Sequence, residues 1–395
     1  MAKYTPVLSQ LLRHIPRAEF SRIVDHHKGD KRVRSFSCWQ QFVALFYGQL
    51  TGQQSLRDLE TAVRINVGKL QQVGLLGLSR STLADANNRR PAVMFEELFQ
   101  SLYQRCRQRA PGHKFRFKHR LYSLDASLIH LCWKVFKWAR FMTRKGAAKL
   151  HVMLDHEGLI PRVCVVTAAK TRELEVARRQ RYEPDSILNF DRGYTDFGWF
   201  NQLHHQGVYF VTRQKRNAAY RVRKRRPVEP TTGVTSDQLI APTHKCGRCY
   251  TGPLRRIGYR DPESGQFFVF LTNIEHLEAK EIAEIYKARW EIELFFKWVQ
   301  QHLKIKTFLG TTPNAVMTQV WVALCVYLLV SYVKFLSRMG WRTYEVFKRI
   351  QVAVLEYRDL WDLLTEYPPG RRKSQHKPTQ MNLYRRELKP MFITV

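Results

Sequence analysis

Residues 286–300 read Tyr286-Lys-Ala-Arg289-Trp290-Glu-Ile-Glu293-Leu-Phe-Phe-Lys297-Trp-Val-Gln300. Placed on a helix at about 100° per residue, Tyr286, Arg289, Glu293, Lys297, Gln300 and Lys304 share a stripe about 80° wide. Ile285, Ala288, Ile292, Phe295, Phe296, Val299 and Leu303 fill the adjoining face, so one side of the helix is core. The polar stripe sets one acid among cations and an aromatic hydroxyl. A solvated helix face can look the same, with Glu293 paired to Arg289 and Lys297 for a few tenths of a kcal/mol. The rest of the chain decides between the two readings.

The sequence has 395 residues, with 66 Lys and Arg against 33 Asp and Glu, a formal net charge of +33. The excess runs along the whole chain. It points to a polyanionic partner, nucleic acid before any other. A membrane partner needs an anchor or a span, and the best stretch, 315–333, has no charged residue over about the ~20 positions a crossing requires. That stretch contains Thr318, Gln319 and Ser331, stands alone and follows a soluble-looking helix, so it reads as a buried core helix. No membrane partner is expected. The N-terminus shows no signal-peptide apolar run. Seven scattered cysteines suit a reducing, cytoplasmic setting better than a disulfide framework.

Residues 1–112 read as helical and basic. Phe36, Trp39, Phe42, Val43 and Phe46 recur at helical spacing, Thr51-Gly breaks the helix, and Ser55-Leu-Arg-Asp58 reads as the capped start of the next. Ser81 is a candidate cap for a short helix ending in Asn87-Asn88-Arg89-Arg90-Pro91, side chains suited either to DNA or to an ordinary surface. From Phe115 to Leu124 the pattern is that of a strand. Two further strands flank Asp155-His-Glu-Gly158, which reads as a hairpin turn. A helix near 172–181, a strand at 186–190, a helix near 196–205 and a strand from Gly207 complete an α/β domain with a mixed sheet. Residues 214–275 break that rhythm with the basic run Arg221-Val-Arg223-Lys-Arg225-Arg226 and strands at 253–259 and 267–272, as a β-rich insertion would. The helix of residues 286–300 follows, then the apolar helix and another from Tyr344 to Leu364. The basic tail 370–378 suits non-specific phosphate contact.

Two acids stand out by position. Asp125 follows Leu121-Tyr-Ser-Leu and Asp191 follows Ile187-Leu-Asn-Phe, each read as the end of an apolar strand. Ligand sites of open α/β sheets gather at such ends. Acids with apolar approaches are costly unless they bind a cation. Asp125 as a turn cap and Asp191 paired with Arg192 are the plain alternatives. Brought together with Glu293, three carboxylates call for Mg²⁺ or Mn²⁺. Two such ions about 3.5–4 Å apart would activate an attacking oxygen and stabilise the leaving one.

The order Asp125 … Asp191-Arg-Gly-Tyr … Tyr286-x2-Arg289-x3-Glu293 resembles the bacterial DDE transposases, and within them the branch named after insertion sequence four, over most of the chain. The resemblance implies a ribonuclease-H-like core at 113–213 and 276–345. The insertion at 214–275 accounts for the 293 − 191 = 102 residues between the last two acids. A helical DNA-binding domain at 1–112 and a C-terminal helix with basic tail at 346–395 complete the expected layout. It also implies Asp125, Asp191 and Glu293 as catalytic metal ligands, and double-stranded DNA, at terminal inverted repeats and at a target, as the partner. The implied chemistry is cut-and-paste through a hairpin, carried out by a homodimer on DNA in the bacterial cytoplasm and nucleoid. Tyr286 and Arg289 would hold a displaced phosphate and Trp290 would fill a vacated base stack. One position departs from the branch: its lysine, seven residues after the glutamate, is Gln300 here, which hands phosphate contact to Lys297 or Lys304. Arg192, Arg213, Arg223 and Arg225 are further candidates for DNA contact. A non-catalytic binder of DNA ends and a metal-dependent nuclease of the same fold are the alternatives. Cys246-x2-Cys249 could take zinc only with distant ligands.

Overall fold

The computed structural model describes residues 4–130, 147–215, 218–243, 247, 249–303 and 308–365. It divides into two compact units, Met1–Tyr194 with Ala288–Thr365, and a second whose described part lies within Thr195–Lys287. In chain order the first unit begins with helices Val7–Leu12 (α1), Arg17–His26 (α2), Cys38–Thr51 (α3), Leu56–Ile65 (α4), Val67–Leu70 (α5), Arg80–Arg89 (α6) and Val93–Arg107 (α7). Strands Leu121–His130 (β1), Ala147–Asp155 (β2) and Ile160–Ala168 (β3) follow, then helix Glu173–Arg179 (α8) and strand Ile187–Phe190 (β4).

These four strands lie in the order β3-β2-β1-β4. β2 is antiparallel to both β1 and β3, while β4 is parallel to β1. An antiparallel meander continued by a parallel strand is the mixed sheet expected from the sequence. The meander turns at Gly158, whose φ of +76° favours glycine and where a Cβ would lie 2.6 Å from the Phe335 ring and 2.9 Å from Ala110 Cβ.

Side chains fix several helical starts. Ser37 and Gln40 form a reciprocal capping box on α3, and Gly52 ends that helix in the left-handed region at φ +73°. Ser55 Oγ accepts from Asp58 N at 3.1 Å, as its sequence indicates. Ser81 does not cap α6: the helix begins one residue earlier, and the Ser81 hydroxyl meets Ser79 instead.

The second unit holds helix Phe197–His205 (α9) and strands Tyr209–Arg213 (β5), Tyr220–Arg226 (β6), Val234–Pro242 (β7), Arg255–Arg260 (β8) and Phe267–Thr272 (β9). Their order is β5-β9-β8-β7-β6, every neighbour antiparallel. The insertion is thus richer in strands than its sequence indicates, because β6 and β7 carry charges and polar residues that mask their period. Helix Ala279–Ala288 (α10) follows. In the first unit, Trp290–His302 (α11), Pro313–Ser337 (α12), Thr343–Ala353 (α13) and Leu360–Thr365 (α14) are the last described elements. The expected helix from 344 to 364 is therefore two helices.

α12 is long and apolar enough to cross a membrane, yet 89% of its most apolar window is buried inside the protein. It packs against α7, α3, α6 and α13, with Trp321 meeting the Phe99 ring at 5.3 Å. The Asn-rich end of α6 serves the same packing. Asn87 is buried and accepts from Gln41 Nε2 at 2.9 Å, and its carbonyl accepts from Asn314 at 2.8 Å. Arg90 is buried beside Gln41 and the Phe36 carbonyl. These side chains hold the helical region to α12, so they are spent on structure rather than left to face DNA.

Candidate active site

The site grows from the parallel pairing of β1 and β4. Leu121–Leu124 stand in register with Ile187–Phe190, and all eight residues are buried. Short strands covered on both faces are mostly apolar, and here only Ser123 and Asn189 interrupt the apolar residues. One step beyond the last paired residues, Leu124 and Phe190, each strand carries an acid, Asp125 and Asp191, both partly exposed. Asp191 follows the end of its strand, as its sequence indicates. Asp125 does not end a strand: β1 begins at Leu121, not Phe115, and runs on to His130 because β2 continues to pair with it. Asp125 instead marks the end of the parallel pairing. Behind Asp191 the chain closes a 3₁₀ turn, with Tyr194 N donating to the Asp191 carbonyl at 3.0 Å and the Tyr194 ring buried 5.7 Å from Phe190.

The helix of residues 279–302 is interrupted at Arg289, between α10 and α11. Ile292, Phe295, Phe296, Val299 and Leu303 are buried as their period requires. Their burial turns the polar stripe toward β1. Arg289 Nη2 donates to Glu293 Oε1 at 2.5 Å, and its Nη1 to Asp125 Oδ2 at 3.4 Å. Farther along, Gln300 Nε2 donates to Ser127 Oγ at 2.8 Å. Ser127 lies two residues after Asp125, on the same face of β1, so α11 is pinned to this strand at two points. Gln300 thus has a positional use that an ammonium could also serve.

The Asp125 carboxyl is raised from 3.8 to about 6, chiefly by burial, with Glu173 and Glu293 adding to the rise; Arg289 and the Ala126 N–H, 2.8 Å away, oppose it. A small cleft of about 20 Å³ opens beside it, lined among others by His151, Glu173, Gln180 and Tyr194. Glu173 was not singled out by the sequence. It lies in the first turn of α8, where an acid is ordinary, and only the packing of α8 brings it to Asp125. Lys149 Nζ lies 3.5 Å from it.

The other candidates are dispersed. Lys297 and Arg192 are exposed and Trp290 is half-buried. In the second unit Tyr286 is buried against Phe270, 5.0 Å between rings, and Arg213 stands 5.1 Å over the Phe268 ring. Arg223 and Arg225 are exposed on β6, the last strand in that unit's order, and a bulge lies between Val222 and Lys224. Exposed cations on a bulged edge also prevent edge-to-edge association. Lys304, Arg216, Cys246 and the tail 370–378 lie outside the described residues; Cys249 is an exposed thiol.

Asp125 and Glu293 are hard oxygen donors of the kind Mg²⁺ and Mn²⁺ take. They converge on a single cationic centre, and burial of Asp125 demands one. To that extent the residues fit a divalent cation. Among the described residues, however, no group of three or more His, Cys, Asp or Glu side chains is gathered closely enough to hold a metal. The guanidinium of Arg289 stands between two of the three expected ligands.

This chain is similar to several known proteins. A piggyBac transposase synaptic complex with hairpin DNA aligns over 93% of this chain and 83% of that one, at 13% identity and a TM-score of 0.45. Residues 3–76 match a domain of unknown function, DUF4372. A relative described as transposase y4zB, from Sinorhizobium fredii, is 31% identical over 318 residues, 79% of this chain and 88% of the relative. The transposase for insertion sequence element IS5377 of Geobacillus stearothermophilus is 27% identical, covering 65% of this chain and 69% of its own. That for IS4SA of Synechocystis is 21% identical over 80% and 88%. The transposase DDE domain itself matches residues 116–329, more than half the chain. The chain belongs to the DDE transposases, enzymes of phosphoryl transfer on DNA.

Proposed function

We propose that this transposase moves an insertion sequence by cut-and-paste through a hairpin at the element's ends, with Asp125, Asp191 and Glu293 as its catalytic carboxylates. The observation that carries the assignment is the convergence of Asp125 and Glu293 on one cation, one step past the strand pair that also delivers Asp191. In this reading the three acids hold one or two Mg²⁺ or Mn²⁺ ions. When bound, these supply an activated attacking oxygen and charge stabilisation on the leaving oxygen.

The chain's own residues do the rest. The buried β1–β4 pair fixes where the phosphodiester must lie, and the link between Gln300 and Ser127 keeps α11 in line with it. Arg289 grips a phosphate in the forked geometry guanidinium offers, aided by Lys297 and Lys304. Trp290 accommodates the base displaced when a hairpin forms. In the first step water attacks phosphorus and the bond to the 3′ oxygen breaks. The freed 3′-hydroxyl then attacks a phosphorus of the opposite strand and expels that strand's flanking 3′ oxygen. Water attacks the hairpin phosphorus and releases the 3′-hydroxyl again, and that hydroxyl attacks a target phosphorus with loss of a target 3′ oxygen. Terminal inverted repeats and target DNA are the substrates, a homodimer bridging two ends is the working assembly, and the bacterial cytoplasm and nucleoid are the setting. The net charge of +33, spread along the chain, supports long contact with a duplex.

Substitution separates this reading from a non-catalytic binder of DNA ends. Glu293→Gln is expected to retain binding to an end duplex and to yield no nicked product. If the variant still cuts, the assignment of Glu293 is wrong.

A further inference from the structure

Two of the proposed metal ligands already share a cation, and it belongs to the chain. Arg289 reaches Glu293 with one terminal nitrogen, at 2.5 Å, and Asp125 with the other, at 3.4 Å. The fork is split between two acids rather than engaged with one. All three side chains are largely withdrawn from water, with exposures of 16% for Arg289, 22% for Asp125 and 33% for Glu293. Two ionised carboxylates brought this close repel, and withdrawal from solvent raises the cost unless a positive charge lies between them. A divalent cation would draw their oxygens to about 2.0–2.6 Å, space that the guanidinium now fills, and the two positive centres would repel. They cannot serve the same oxygens together.

Arg289 is also placed to leave. Its backbone is helical, at φ −54° and ψ −27°, so rotation about its own side-chain torsions is enough to release both acids while Glu293 keeps its place on α11. A phosphate offers the guanidinium a partner of greater charge than either carboxylate alone.

We infer that Arg289 is the resident counter-ion of the carboxylate pair in the protein without DNA, and that a DNA phosphate draws it off and so opens Asp125 and Glu293 to the divalent cation. Metal and DNA then bind with positive coupling, and the coupling is reciprocal. The consequence is restraint: the transposase takes up its metal tightly only where a phosphodiester is already in place. The inference rests on the reading of Asp125 and Glu293 as metal ligands.

The test is Mn²⁺ binding to the full-length chain, by calorimetry and by the electron paramagnetic resonance of free Mn²⁺. It is run without DNA and with an end duplex whose own Mn²⁺ uptake is subtracted. Arg289→Ala is expected to bind Mn²⁺ about ten-fold more tightly than wild type without DNA, within the usual range of such couplings. The end duplex should raise the wild-type affinity toward that of the variant and move the variant less. A loss of structure alone would weaken binding, so tighter binding is a signature that a merely structural Arg289 cannot give. Arg289→Lys, whose point charge cannot bridge two acids as a fork does, gives a second, gentler variant and should also bind more tightly than wild type. If neither variant gains affinity while Asp125→Asn still removes the Mn²⁺ site, Arg289 is not the counter-ion and the ligand reading stands. If Asp125→Asn leaves Mn²⁺ binding unchanged in every background, the ligand reading itself fails, and the inference with it.

Discussion

Acid should destabilise the first unit through two histidines that the fold keeps neutral. His156 is buried in the β2–β3 turn with Nε2 2.7 Å from Ser123 Oγ. Burial, followed by the nearby His113 and Lys114, lowers its pKa from 6.5 to about 3. His151 on β2 meets Thr167 Oγ1 at 2.8 Å and is lowered to about 4, by burial and then Lys149. In the unfolded chain both titrate near 6.5, so below that pH the unfolded state binds more protons than the folded one. Their stabilising effect is complete above pH 6.5 and is lost as pH falls toward the folded values. At pH 5 each lies about 1.5 units below its unfolded pKa, which costs about 2 kcal/mol per histidine and about 4 together.

Asp125 works in the opposite sense. Its raised pKa of about 6 makes the fold bind a proton first, returning about 1.4 kcal/mol at pH 5. The histidines win. Urea midpoints at pH 7.5 and pH 5.0 measure the drop, and His156→Gln, whose amide can still meet Ser123, should lose about half of the histidine share. An identical acid-induced drop in wild type and variant would refute the assignment of His156 as a buried neutral group.

Other outcomes follow from single contacts. Gly158→Ala combines a left-handed φ with a Cβ 2.6 Å from the Phe335 ring, and should cost about 1–3 kcal/mol by chemical denaturation. Arg255 and Asp237 form a two-pronged buried pair at 2.8 and 2.6 Å, so Arg255→Ala should destabilise the second unit by about 3–5 kcal/mol; a loss under 1 kcal/mol would show that the pair is solvated. Gln300→Lys should preserve or raise strand cleavage, since Ser127 can accept from an ammonium; a marked loss would count against the alignment of α11 with the transposase signature. Replacing both Arg223 and Arg225 by Ala should lower the salt slope of DNA binding by about two phosphate contacts. An unchanged slope would leave them as guards of a strand edge.

Much of this architecture was legible because its periods are strong. The apolar residues of α11 lie on one face by sequence alone, and the polar stripe beside them follows. β4 could be read because all four of its residues are apolar or buried amide, and Asp191 sits directly after it. The start of β1 could not be placed, because residues 113–120 alternate aromatic and basic side chains as a strand would. There Lys114, Arg116 and Lys118 are exposed while Phe115 and Phe117 stack at 5.1 Å without joining the sheet. Asn87 and Arg90 looked suited to DNA because side-chain chemistry does not reveal which buried partner will claim it; Gln41 and Asn314, far off in sequence, do. Glu173 escaped notice for the same reason. Its relation to Asp125 exists only once α8 is folded over the sheet.

The most direct measurement is cleavage and joining by the purified chain on linear DNA carrying its own element's ends, with Mg²⁺ and with EDTA. The account predicts Mg²⁺-dependent hairpins, then joined products, and neither with EDTA or with Glu293→Gln. Stable binding to the ends with no cleavage under Mg²⁺ or Mn²⁺ would contradict it.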